Sequence, residues 1–306
     1  MSLHHIIEAQ QFDMPTMLQI LDTAEEMERV VARGGMTDYH NRIMATLFYE
    51  PSTRTRFSFE TAMHRLGGHV ISTENAGEFS SAAKGETLED TIRILNGYAD
   101  VIVIRHKEVG SARRAAAVSR VPVINAGDGA GQHPTQALLD LYTIRKEIGK
   151  IDGLRIAMVG DLAQGRTVRS LTYLLSKFKD VNLFFVAPPL LKMKEDILEH
   201  LRERRVNFIE ETSLDKVLPE VDVVYQTRIQ KERFGDRIAD YENCRGIYIL
   251  TRESLKLMKP HSIIMHPLPR LEEIAMEVDA DSRAGYFRQA QNGLYVRMAL
   301  LTMVLK

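Results

Sequence analysis

Apolar residues along the chain fall into short runs separated by segments in which apolar positions recur at helical spacing. The runs at 43–48, 69–72, 101–104, 122–125, 155–159, 182–186, 221–225, 247–249 and 262–265 read as strands. Helical patterns lie between most of them, for example at 88–98, 134–148, 168–178 and 196–203. Alternation of short apolar strands with helices predicts an α/β fold, each sheet mainly parallel and covered by helices on both faces. At 306 residues the chain suggests two domains of about 150 residues. The expected break lies at 149–153, with four predicted strands before it and five after. The expectation is two doubly wound domains, 1–148 and 149–306, closed by a single long helix over about 287–306.

One junction stands out chemically. In FYEPSTRTRFSFE, residues 48–60, the predicted strand gives way to Ser52, Thr53, Arg54, Thr55 and Arg56. Then Phe59, Ala62, Met63 and Leu66 recur at i, i+3, i+4 and i+7, and Gly67-Gly68 ends the helix. A helix N-terminus presents unpaired N–H groups and a dipole that favours an anion. Hydroxyls and a guanidinium at that point suit phosphate, although a single serine or threonine there is as well explained as an ordinary cap.

Other loops after predicted strands carry similar groups. Arg105 and His106 follow 101–104, and His133, Thr135 and Gln136 follow 122–125 through AGDGAGQ. Arg166 and Thr167 follow 155–159, Arg228 and Gln230 follow 221–225, and HPLPR (266–270) follows 262–265. Ligands of open α/β sheets bind outside the carboxyl ends of the strands, so the shared placement matters more than any one residue.

Several alternatives lose ground. GDLAQGRT (160–167) is one residue from a P-loop, but Arg166 replaces the lysine, and no predicted strand ends in an aspartate for Mg²⁺, Asp222 lying at a strand start. No G-x-G-x-x-G is present for a dinucleotide. His4-His5 is a terminal pair and Cys244 has no partner at ligand spacing, so no metal site is expected. A formal net charge of −1 gives no reason to expect a nucleic-acid partner. The lone Cys244 fits a reducing compartment, no apolar run reaches membrane-spanning length, and MSLHHIIEAQQFD resembles no targeting signal. The expected location is cytoplasmic.

STRTR (52–56), SSAAKGET (80–87), HPTQALLD (133–140), GDLAQGRTV (160–168), TRIQKERF (227–234) and HPLPR (266–270) together resemble the aspartate carbamoyltransferase family, catalytic chain, in order and over nearly the whole chain. The look is that of the plant and animal-type enzymes. The resemblance implies transfer of a carbamoyl group from carbamoyl phosphate to L-aspartate, giving N-carbamoyl-L-aspartate and phosphate in pyrimidine (UMP) biosynthesis. It implies that Ser52, Thr53, Arg54 and Thr55 cradle the phosphate, while Thr55, Arg105 and His133 polarise the carbamoyl oxygen. Gln136 would contact the carbamoyl group, and the Leu268–Pro269 backbone, with a cis bond, would receive its NH₂. Arg166, Arg228, Gln230 and Lys84 would hold aspartate. Ser80 and Lys84 would enter the site from an adjacent subunit, making a homotrimer, and the closing helix would pack on the first domain. No cofactor or metal is implied.

The sister ornithine enzymes share STRTR and HPTQ, so the acceptor is chosen elsewhere. Lys84 in KGET, Arg228 in TRIQKER, and HPLPR in place of a cysteine-containing motif all favour aspartate. A non-catalytic relative binding phosphate or UMP is the alternative from another class; the complete set of expected residues argues against it. Gln132 stands where many relatives have glutamate. Regulation stays open between a separate regulatory chain, direct inhibition by UMP, and neither.

Overall fold

The computed structural model describes residues 3–79, 81–231, 234–236 and 238–306. The chain separates into two compact units, one formed by Met1–Tyr142 with Gln291–Lys306 and the other by Thr143–Ala290.

The first unit holds a four-stranded parallel sheet built from β1 (Ile43–Phe48), β2 (His69–Glu74), β3 (Val101–His106) and β4 (Val123–Asp128) in the order β2-β1-β3-β4. Its two inner members, β1 and β3, are buried almost throughout, whereas the edge strand β2 is largely exposed. Ala45, Leu47, Ile102 and Ile104 meet Leu88, Ile92, Ala112 and Ala115 from the covering helices in one apolar cluster. The 19-residue helix Met14–Ala32 precedes the sheet and lies outside the strand–helix alternation. Asp13 caps it by accepting from the Thr16 N–H at 2.9 Å, and Met17, Ile20, Leu21, Ala24 and Met27 form its buried stripe.

The second unit holds a five-stranded parallel sheet of β5 (Arg155–Val159), β6 (Asn182–Val186), β7 (Asn207–Glu211), β8 (Val223–Gln226) and β9 (Ile263–Met265) in the order β7-β6-β5-β8-β9. Ala157, Val159, Val224 and Ile264 share a core cluster with Leu218, Tyr248, Leu250 and Tyr286.

Two strand expectations change places. Residues 247–249 are not a strand: Ile247 and Ile249 are exposed, and only Leu250 makes an isolated bridge, to Ile274. The missed strand is β7, NFIEE, an edge strand with largely exposed side chains and hence little apolar signature. The helix expected over 88–98 stops at Leu95.

Both sheets reverse their winding direction once. From β1 the chain passes to β2 on one side and then to β3 on the other, and from β5 to β6 on one side and β8 on the other. These switch points, β1/β3 and β5/β8, are where open α/β sheets leave a crevice for ligands.

Candidate active site

At the first switch point, β1 runs into the helix Thr53–Arg65. Ser52 is its N-cap, yet the serine side chain makes no capping bond. The first-turn N–H groups are therefore not engaged by their own cap, as an anion site requires. Thr55 is buried, Thr53 and Arg54 are exposed, and Ser52 lies between. Arg56 is turned away, tied to Glu74 at 2.9 Å and to Glu60 at 3.9 Å.

Across the switch point, Arg105 sits at the end of β3 in register with Phe48 of β1. Its Nη2 donates to Glu50 at 2.5 Å and its Nη1 to the Ala126 carbonyl at 3.3 Å. Its buried Nε has no hydrogen-bond partner among the described residues. Burial holds the Arg105 pKa below the usual arginine value; Glu50 opposes this, and the nearby positive charge of Arg54 adds to it. A buried donor with nothing to donate to, flanked by a second arginine, fits an anionic oxygen.

The loop after β4 completes this half. Asp128 accepts from the N–H of Gln132 at 2.6 Å and of Gly110 at 2.7 Å, fixing the turn that leads into the helix Pro134–Ile148. Gln132 offers its side-chain oxygen to the Ala9 N–H at 3.3 Å, an acceptor role that a glutamate would fill equally. His133 and Thr135 are buried, and the Thr135 hydroxyl has no hydrogen-bond partner among the described residues. Gln136 donates from Nε2 to Asp140 at 2.8 Å. Because a carboxylate only accepts, this fixes the amide's orientation and leaves the Gln136 oxygen as an acceptor, the group a carbamoyl NH₂ needs.

Lys84 is exposed, at the end of the short 3₁₀ turn Ser81–Lys84 and followed by Gly85. Ser80 lies outside the described residues.

In the second unit the corresponding switch point carries arginines. The helix Arg166–Leu175 starts after β5, with Gly165 as N-cap. Arg228 and Gln230 follow β8 and are half-buried. The two loops approach closely at Gly160, whose φ is +111°. A Cβ there would lie 2.4 Å from the Thr227 carbonyl oxygen. Thr227 also donates its hydroxyl to the Val159 carbonyl at 2.7 Å, pinning the residue before Arg228 to the end of β5. Arg228 lines a pocket with Gln226, Tyr241, Arg245, Tyr248, Glu272 and Glu273.

Leu268–Pro269 is a cis peptide, as expected. The turn is held from behind by His266, which is buried and whose Nδ1 accepts from the Leu268 N–H at 2.8 Å. Nδ1 therefore carries no proton, and Nε2 donates to Glu273 at 2.8 Å. Burial pushes the Glu273 carboxyl up, but the His266 bond and backbone N–H groups outweigh it and hold the pKa below the ordinary value.

The structure thus brings Thr55, Arg54, Arg105, His133 and Gln136 to one end of the first sheet, and Arg166 and Arg228 to one end of the second. Glu50, Asp140 and Glu273 are supporting residues to which the sequence reading gave no role; His266 was marked only as the first residue of HPLPR. Asp140 was within reach, lying one helical turn after Gln136.

The chain matches two family models along its length. Residues 4–146 match "Aspartate/ornithine carbamoyltransferase, carbamoyl-P binding domain" and residues 152–304 match the "Asp/Orn binding domain" of the same family. It is 60% identical over 304 residues to aspartate carbamoyltransferase 1, chloroplastic, of Pisum sativum, covering 99% of this chain and 79% of that protein. Identity is 50% to the aspartate carbamoyltransferase catalytic subunit of Methanocaldococcus jannaschii, over 99% of this chain and 98% of the other. The solved structure of aspartate transcarbamoylase from Trypanosoma cruzi with carbamoyl phosphate and aspartate superposes with a TM-score of 0.94 at 42% identity, covering 99% of this chain and 97% of that one. The chain belongs to the aspartate/ornithine carbamoyltransferase family, among its aspartate carbamoyltransferases.

Proposed function

We propose that this chain transfers the carbamoyl group of carbamoyl phosphate to the amine of L-aspartate, releasing N-carbamoyl-L-aspartate and phosphate, a step of pyrimidine biosynthesis. The observation that carries this reading is the cluster at the β1/β3 switch point: an uncapped helix N-terminus, the partnerless buried Arg105 Nε and a Gln136 amide turned to accept.

Ser52, Thr53, Arg54 and Thr55 hold the phosphate through hydroxyls, guanidinium and helix N–H groups. Arg105, Thr55 and His133 stabilise the oxyanion that forms when the aspartate nitrogen attacks the carbamoyl carbon. The carbon–oxygen bond to phosphate then breaks, and phosphate takes the amine proton. Gln136 and the Leu268–Pro269 turn orient the carbamoyl NH₂. Arg166, Arg228 and Gln230 bind the carboxylates of aspartate. On this reading residues 1–148 serve carbamoyl phosphate and residues 149–306 serve aspartate.

The remaining parts of the proposal are a homotrimer, in which Ser80 and Lys84 complete the site of the adjacent subunit, and a cytoplasmic location. The single thiol, Cys244, supports a reducing compartment; the pea relative is named as chloroplastic, so fractionation of source cells decides the compartment. A separate regulatory chain and UMP are the candidate regulatory partners. For the trimer, mixing inactive Lys84→Ala and Arg54→Ala chains should restore partial activity through hybrid sites, and verified subunit exchange without recovery would rule out sharing.

The reaction is tested by following phosphate release from carbamoyl phosphate on addition of L-aspartate or L-ornithine. Release with aspartate alone is expected; release with ornithine alone, or with neither from folded protein, overturns the proposal.

A further inference from the structure

Arg297 lies on the closing helix Tyr286–Val304, at no position that any sequence motif marks. Within the first unit its guanidinium is driven into the protein beneath the candidate phosphate turn. It is only 4% exposed. Its Nη1 donates to the Ser58 hydroxyl at 2.7 Å, and its Cζ stands 5.0 Å from the centre of the Phe59 ring. Both residues belong to the helix Thr53–Arg65, whose N-terminus is that turn. Its Nε, also buried, has no hydrogen-bond partner among the described residues.

A fully buried cation with a neutral hydroxyl and an aromatic face as contacts is costly unless opposite charge is near. The opposing charge is Asp140, the same carboxylate that accepts from Gln136. Burial lowers the Arg297 pKa to about 10, with Asp140 opposing and Arg105 adding to the depression, so the group stays cationic at neutral pH.

Space for the guanidinium is made by a second residue. Gly293 lies one turn earlier in the same helix, where a Cβ would come within 2.5 Å of Arg297 Nη1 and 3.2 Å of Leu139 Cδ2. Glycine is among the poorest residues for a helix interior, and here the missing side chain is what admits the charge.

We infer that Arg297, seated in the gap left by Gly293, is a positioning residue for carbamoyl phosphate. It links the helix Thr53–Arg65, through the Ser58 hydrogen bond, with the Asp140–Gln136 pair, through the opposite charge of Asp140. Asp140, which accepts from Gln136 and faces the charge of Arg297, fixes the Gln136 amide; Ser58 fixes the helix that presents the phosphate turn. The buried cation also adds to the positive potential around Arg105. This inference rests on the proposed function, because it assigns Arg297 to the half-site that binds carbamoyl phosphate.

The test uses the full chain with Arg297→Lys, Arg297→Met and Gly293→Ala. Steady-state constants are measured for both substrates, with inorganic phosphate as a competitor of carbamoyl phosphate and thermal unfolding as the fold control. Arg297→Met is expected to raise the KM for carbamoyl phosphate and the Ki for phosphate at least tenfold. Arg297→Lys should recover a large part of that loss. Gly293→Ala, which improves the helix while pushing the guanidinium off Ser58, should raise the same two constants severalfold without lowering the melting temperature. The KM for aspartate should stay within twofold in every variant.

If Arg297→Met does not fold, the lysine and Gly293→Ala variants still decide. Folded variants whose carbamoyl phosphate KM and phosphate Ki stay within twofold of wild type overturn the inference, as does a loss spread equally over both substrates. A wild-type protein without aspartate-dependent activity would instead overturn the proposed function beneath it.

Discussion

Replacing Arg105 with alanine removes a guanidinium whose three nitrogens each have a described state. Nη1 is committed to the Ala126 carbonyl at 3.3 Å, Nη2 bonds Glu50 at 2.5 Å, and Nε is buried with no bond. A bound carbamoyl phosphate can take Nε outright and compete with Glu50 for Nη2. Charge-assisted hydrogen bonds contribute about 1.5–3 kcal/mol each, so two are worth roughly 3–6 kcal/mol. At about 1.4 kcal/mol per factor of ten, kcat/KM should fall roughly 10²–10⁴-fold. The alanine variant also removes the Arg105 bond to Glu50, leaving that carboxylate facing the anion without the guanidinium between them. With 36% of the Glu50 side chain exposed, solvent screening should limit that repulsion to about 1 kcal/mol or less. Adding Glu50→Gln to Arg105→Ala should therefore recover no more than about fivefold. Arg105→Lys keeps the charge but not the fork, and should fall between alanine and wild type. The assay is initial-rate carbamoyl transfer to aspartate, with thermal unfolding to confirm that each variant is folded. A folded Arg105→Ala protein that loses less than tenfold, or loses only affinity for aspartate, would refute the assignment of the unbonded Nε to substrate.

Three further outcomes follow from the second unit. Glu273→Leu removes the Glu273 acceptor of the buried His266 Nε2–H, which should cost roughly 1–3 kcal/mol of stability in denaturant titration and loosen the Leu268–Pro269 turn, raising the KM for carbamoyl phosphate. Gly160→Ala places a Cβ 2.4 Å from the Thr227 carbonyl oxygen at a left-handed φ, so it should lower the melting temperature and raise the KM for aspartate through Arg228. Asp281, bonded by the Arg283 side chain and backbone, has its pKa depressed from 3.8 to about 2. A depressed carboxylate stabilises the fold above its unfolded pKa and loses that contribution as pH falls through the folded value. Asp281→Asn should therefore cost about 1 kcal/mol or less at pH 7, after discounting for solvent, and converge with wild type near pH 2 in pH-dependent unfolding.

The fold was legible wherever burial was two-sided. Strands such as β1, β3 and β5 are continuous apolar runs because helices cover both faces, and their boundaries are within a few residues of those expected. The edge strand β7 failed that test, since Asn207, Ile209 and Glu210 are exposed and none of its positions is buried, while Ile247, Tyr248 and Ile249 looked like a strand although only Tyr248 is buried. The groups facing ligands were legible because their chemistry is concentrated after strand ends. The groups that hold them were not. Glu50 meets Arg105 and Arg297 meets Ser58 only through tertiary packing, across sequence separations at which no periodicity operates. Arg56 shows the converse: it shares the STRTR motif, yet Glu60 and Glu74 draw it away from the turn.

The most direct test offers the protein carbamoyl phosphate with equimolar L-aspartate and L-ornithine in one vessel and identifies the product by mass spectrometry. N-carbamoyl-L-aspartate, formed in step with phosphate and absent from reactions with Arg228→Ala, is the expected result. Citrulline as the main product, or phosphate released without either carbamoyl amino acid, would contradict the assignment of Arg166 and Arg228 to a dicarboxylate acceptor.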